Sequence, residues 1–130
     1  MSNRSWFSRL LSRKPEGEES APAEPSPIGA AEWKRKGRAL ARQGRHDGPL
    51  ACFDRGLEIN PRDSDLWLNK GAALAALGHH EGAPACYDRG LQIEPLDSSL
   101  WKGKGLALRA LRRTQEAEVC FRRARELGAG

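Results

Sequence analysis

The sequence repeats itself every 34 residues, and that period constrains the fold more than anything else in it. Trp33, Trp67 and Trp101 recur at this spacing, as do Gly37, Gly71 and Gly105, then Cys52, Cys86 and Cys120, then Phe53, Tyr87 and Phe121. Pro61 and Pro95 hold the same register where the first two units end. A unit of this size cannot bury an apolar face alone, so neighbouring units must stack and complete one another's core. Residues 30–130 therefore divide into three copies of one supersecondary unit, 30–63, 64–97 and 98–130.

Each copy holds two helical patterns. In the second, Leu66, Trp67, Leu74 and Leu77 form a stripe at helical spacing over about 64–77, with Gly78 placed to end it. Ala83, Tyr87, Gly90 and Leu91 define a second helix over about 81–94, stopped by Pro95. Asp63, Ser64, Asp97 and Ser98 are candidate N-caps. Pro49 and Pro84 fall in the first turn of second helices, where an N–H has no intrahelical partner to lose.

These motifs resemble the tetratricopeptide repeat. The resemblance rests on the Trp, the Gly four residues later, a small residue (Ala83, Ala117, with Pro49 in the first unit), the aromatic (Phe53, Tyr87, Phe121), a second small position (Gly56, Gly90, Ala124) and the closing Pro. It covers about 100 of the 130 residues. There are departures. Arg112 replaces the inter-helix Gly of the third unit, equivalent to Gly44 and Gly78, and that unit lacks the closing Pro. Lys36, Lys70 and Lys104 stand where the family often has Leu. Gly56 and Gly90 should weaken their helices by roughly 1 kcal/mol each. The resemblance implies an all-α, right-handed superhelical solenoid of three antiparallel helix pairs. The recurring tryptophans then set packing within and between repeats.

Residues 15–29 hold four prolines and four glutamates with little apolar surface, the composition of a disordered linker. Residues 1–14 place Trp6, Phe7, Leu10 and Leu11 on one helical face, with Arg4, Arg9 and Arg13 on the other. Such a basic amphipathic segment suits a partner, the repeat stack or peripheral contact with an anionic membrane, or it binds nothing and is a frayed tail, since alone it is too short to hold a stable helix. No 18-residue apolar run exists to span a membrane. The cysteines stand at equivalent positions in stacked units, farther apart than a disulfide allows, and read as reduced thiols of a cytoplasmic protein.

The formal charge of +5 is uneven: net 0 over 1–29, +3 over 30–63, −3 over 64–97 and +5 over 98–130. A basic–acidic–basic stripe favours acidic partners at its two ends and argues against nucleic acid, which wants one continuous basic face with free aromatics. No Gly-rich phosphate loop and no nucleophile–base arrangement is present, so the expectation is a protein that is not an enzyme. His46, His79 and His80 lack metal-ligand spacing, and no metal or other cofactor is expected.

The resemblance implies a concave groove lined by the first helix of each repeat, with peptide binding as its common use. By register, the groove positions are Lys34, Arg35, Arg38 and Arg42; then Asp65, Leu68, Asn69, Ala72 and Ala76; then Ser99, Lys102, Gly103, Leu106 and Arg109. Lys34, Arg38 and Arg42 recur every four residues and share a helix face, a cationic row that could hold a carboxylate. Only Lys34 and Asn69 match the five-residue clamp with which some family members grip a chaperone's C-terminus. The expectation is a protein-interaction module, an adaptor or scaffold, that binds an acidic or C-terminal peptide. Self-association through a last helix without a cap is a further expectation.

Overall fold

The computed structural model describes residues 28–45 and 47–128. The expectations for residues 1–14, most of the linker, and His46 lie outside them. Six helices follow in order: α1 (Ala30–Arg42), α2 (Asp47–Ile59), α3 (Ser64–Ala76), α4 (Ala83–Ile93), α5 (Ser98–Ala110) and α6 (Thr114–Glu126). Among the described residues there is no strand. Consecutive helices pack as hairpins, α1 on α2, α3 on α4 and α5 on α6. The second helix of each hairpin packs on the first helix of the next, while α1 touches α3 and α3 touches α5. This is an all-α helical-repeat solenoid.

Local chemistry explains where the helices begin and end. The Asp63 carboxylate accepts the N–H groups of Asp65 and Leu66 at 3.0 and 3.3 Å, and Asp97 accepts that of Ser99 at 2.9 Å. Each cap satisfies orphan donors and is worth about 1 kcal/mol. Helix α4 starts at Ala83, two residues later than the periodicity suggests, because 79–82 close a turn in which Gly82 N–H donates to His79 O at 3.2 Å. The turns inside the first two hairpins need a left-handed residue and place Gly44 (φ 79°) and Gly78 (φ 85°) there. The third hairpin makes the same turn with Arg112 at φ 64°.

The core is a thin series of layers. Phe53, Leu57, Leu66 and Ala73 form one cluster; Ala83, Tyr87, Leu91, Leu100 and Ala107 form the next; Leu108, Ala117 and Cys120 form the third. Leu66 and Leu100 are fully buried at the two joints between repeats, each worth roughly 2 kcal/mol of apolar burial. Leu66 lies against Gly56 and Leu100 against Gly90. A Cβ on Gly90 would come within 2.6 Å of Leu100 Cδ2, and one on Gly56 within 3.0 Å of the Leu66 methyls. The small position in the second helix thus lets the next repeat approach, which offsets the helix-propensity loss expected from the sequence.

Trp67 and Trp101 do pack at these joints, and all three recurring tryptophans are only half-buried. The indole N–H of Trp67 donates to Pro61 O and that of Trp101 to Pro95 O, both at 2.9 Å. One residue thus fixes a helix to the turn that precedes it. The exposed ring faces are covered by cations: Lys36 and Arg55 lie 5.3 and 5.5 Å from the Trp33 centroid, Lys70 and Arg89 lie 5.6 and 4.9 Å from that of Trp67, and Lys104 lies 5.9 Å from that of Trp101. Lys70 and Lys104 also cross the joint to Asp54 and Asp88 of the preceding repeat, at 2.8 and 2.7 Å. This explains two of the lysines that depart from the family pattern: the Lys70 and Lys104 ammonium groups lie over the Trp ring and pair across the joint, while Lys36 makes only the contact with Trp33 among the described residues.

Candidate groove between the first helices

The first helices of repeats one and two enclose a cavity of about 340 Å³ lined by Arg38, Ala41, Arg42, Phe53, Asn69, Ala72, Ala73 and Ala76. Helix α1 supplies Ala41 and the two arginines one turn apart, α3 supplies Asn69, Ala72, Ala73 and Ala76, and the Phe53 ring of α2 is the floor. The space exists because the α3 side chains facing α1 are small. Arg38 and Arg42 are exposed, and neither makes an ion pair among the described residues. The arrangement offers two charge-assisted donors above an apolar wall, with the Asn69 amide beside them.

The structure thus brings together Arg38, Arg42, Asn69, Ala72 and Ala76 of the residues that register assigns to the groove. The others stand elsewhere. Lys34 is turned to the next repeat: its ammonium lies 3.0 Å from Asp63 and 3.6 Å from Asp65, with 17% of the side chain exposed. Its charge is neutralised at the capping carboxylate of α3, so the cationic row of α1 is reduced to Arg38 and Arg42. Arg35 is exposed and paired with Glu32 at 2.8 Å. Leu68 packs against the central core cluster. Lys102, Leu106 and Arg109 are carried by α5; Leu106 is 45% exposed, and the Arg109 guanidinium sits 5.2 Å from the Phe121 ring centroid.

Gly103 has a role that its groove register does not reveal. A Cβ there would lie 2.6 Å from Tyr87 Cε1, and one on Gly71 would lie 2.8 Å from the same atom. The Tyr87 ring is wedged between glycines of α3 and α5. Where the first joint carries Asn69 over Phe53, the second carries Gly103 against Tyr87. Three lining residues were not assigned from sequence, namely Ala41, Phe53 and Ala73. Phe53 carried a signal, since a conserved-length aromatic step every 34 residues must end beneath the groove, but whether a ring fills a joint or floors a cavity depends on the residue above it.

The groups elsewhere are quiet. Cys52, Cys86 and Cys120 are buried and free. Burial pushes the thiols of Cys86 and Cys120 up, and burial pushes the Tyr87 hydroxyl up to about 12. Among the described residues no group of three or more His, Cys, Asp or Glu is placed to hold a metal ion, and no helix is long and apolar enough to cross a membrane.

A family model described as tetratricopeptide repeat matches residues 34–98. No curated protein matches the sequence significantly. Solved structures similar to this chain include the first TPR domain of Spaghetti (RPAP3) bound to the HSP90 peptide SRMEEVD, at 24% identity and a TM-score of 0.76, covering 78% of this chain and 80% of that one. The Sgt2 TPR domain from Aspergillus fumigatus aligns at 21% identity and a TM-score of 0.75, over 82% and 74% of the two chains. MamA aligns at 20% identity and a TM-score of 0.73, over 78% of this chain and 60% of that one. At such identities the likeness is one of fold. The family assignment comes from the sequence match over half the chain, which spans nearly all of the first hairpin and the whole of the second: the chain belongs to the tetratricopeptide repeat family.

Proposed function

We propose that this chain is a protein-interaction module, an adaptor or scaffold rather than an enzyme, whose groove between α1 and α3 holds an acidic or C-terminal peptide segment. The observation that carries this reading is the 340 Å³ cavity rimmed by Arg38 and Arg42, two cations without an ion-pair partner among the described residues, over an alanine wall. A carboxylate would bridge the guanidiniums, and the preceding apolar side chain would sit over Phe53. Lys102, Leu106 and Arg109 extend the surface along α5 for the rest of the peptide. The similar domain of Spaghetti is bound to the peptide SRMEEVD, in which three of the last four residues are acidic, and this is consistent with such a use of the fold.

Nucleic acid has less support, because the tryptophan faces that would stack on bases are covered by Lys and Arg. Self-association by continuing the stack beyond α6 also has less support. It would put Glu32 where Leu66 and Leu100 sit at the internal joints, and Lys36 against Arg122 where those joints have Asp54 and Asp88.

The double substitution Arg38→Glu/Arg42→Glu tests the proposal. Both residues are exposed, so the melting temperature should stay within a few degrees. Binding of an acidic peptide, read by fluorescence anisotropy, should fall at least tenfold. Unchanged binding would remove the groove from the account.

A further inference from the structure

The chain carries its own candidate for this groove. Between Lys14 and Lys34 there is no basic residue, and the stretch contains Glu16, Glu18, Glu19 and Glu24 among four prolines. That is the composition of the ligand the groove is suited to: acidic, and with prolines that favour an extended chain needing little ordering.

The reach is sufficient. Arg38 and Arg42 lie about 12 and 18 Å along α1 from Ala30 at 1.5 Å per residue. Glu24 and Glu19 precede Ala30 by distances of about 19 and 34 Å at the ~3.1 Å per residue of an extended proline-rich chain. A chain that reverses ahead of α1 can therefore lay its glutamates along the arginines. Gly29, the N-cap of α1, is extended (φ −84°, ψ −179°) and a Cβ there would meet nothing within 4 Å, so nothing crowds the chain where it leaves α1.

A second observation concerns the joint between this segment and the repeats. The Trp33 indole N–H is buried and has no acceptor among the described residues, whereas Trp67 and Trp101 donate to the carbonyl of the proline six residues before them. Six residues before Trp33 is Pro27. By register its carbonyl is the acceptor to expect, and such a bond would hold the chain that follows residue 24 beside α1.

We infer that the acidic segment 16–24 occupies the Arg38–Arg42 groove in cis, so that a peptide partner binds by displacing it. This rests on the groove reading above. A tether this short gives an effective concentration in the millimolar range. Against a segment of submillimolar intrinsic affinity, it would lower the apparent affinity of an outside peptide by about 3- to 30-fold.

The test uses the full chain and a variant in which Glu16→Gln, Glu18→Gln, Glu19→Gln and Glu24→Gln remove the competing charge, with equal melting temperatures as the control for folding. Two labelled probes are titrated at low salt: a synthetic peptide of residues 16–24 and hexaglutamate. Both should bind the variant about 3- to 30-fold more tightly than the native chain, and Arg38→Glu/Arg42→Glu in the variant should abolish both. Equal affinity of a probe for native chain and variant would overturn the cis occupancy and leave the groove reading standing. Hexaglutamate binding without binding of the 16–24 peptide would do the same. If neither probe binds the variant, the groove reading falls, and the cis occupancy with it.

Discussion

Replacing Gly103 by Ala distinguishes a groove position from a packing position by the sign of its effect. If Gly103 only faced the groove, the substitution would stabilise α5 by about 1 kcal/mol, the helix-propensity difference between the two residues. The structure gives the opposite sign. The new Cβ would lie 2.6 Å from Tyr87 Cε1, 2.8 Å from Cζ and 3.1 Å from Cδ1. Ring atoms at the end of a side chain can sometimes yield, but this ring is 4% exposed and stands against Gly71 on its other side, where a Cβ would be only 2.8 Å away. Overpacking of this kind costs about 1–3 kcal/mol; a 2.6 Å approach to a buried ring belongs in the upper part of that range, about 2–3 kcal/mol, so after the propensity gain the net change should be a destabilisation of roughly 1–2 kcal/mol. For a domain of this size that lowers Tm by about 4–8 °C per kcal/mol. Thermal denaturation followed by circular dichroism measures it. The same substitution in a Tyr87→Leu background should turn neutral or stabilising, giving a coupling above ~0.5 kcal/mol. A Gly103→Ala protein as stable as the native one would show that the ring is not wedged.

Three further outcomes follow from the same geometry. Arg112→Gly should raise stability by about 1 kcal/mol, because it relieves a non-glycine residue at φ 64° in a turn where Gly44 and Gly78 serve the first two repeats; an unchanged urea midpoint would refute it. Lys104→Met should cost about 0.5–1 kcal/mol by removing the 2.7 Å contact with Asp88, and the gap from the native protein should narrow in 1 M NaCl, where a difference that persisted would point to stem packing instead. Alkali should unfold the chain. The raised values of Tyr87 (to about 12), Cys86 and Cys120 mean that the folded state holds these protons more tightly. Their contribution is complete below the ordinary thiol and phenol values and is lost as pH rises from about 9 toward 12. Tyr87 is the one tyrosine in the sequence, so tyrosinate absorbance near 295 nm should appear together with loss of helical signal, and a tyrosinate titration near pH 10 with helices intact would contradict the burial.

What the sequence made legible depended on whether a residue's role is set by the repeat or by a single joint. Trp67 and Trp101 occupy equivalent surroundings, so period alone located them, and the same is true of the caps Asp63 and Asp97 and the turns at Gly44 and Gly78. Groove residues do not have equivalent surroundings. Lys34 and Lys102 share a register position, yet Lys34 meets the carboxylates of Asp63 and Asp65, while Lys102 is exposed. Asn69 and Gly103 also share one, yet Asn69 borders a cavity over Phe53 and Gly103 closes onto Tyr87. Each difference turns on one cross-helix pairing that a 34-residue period averages away. The departures from the repeat therefore shape the surface between the first helices. Where the units agree they build the joints, and where they disagree, at Arg38 and Arg42 opposite Ala72 and Ala76, they leave two cations facing a small-residue wall with space for a ligand.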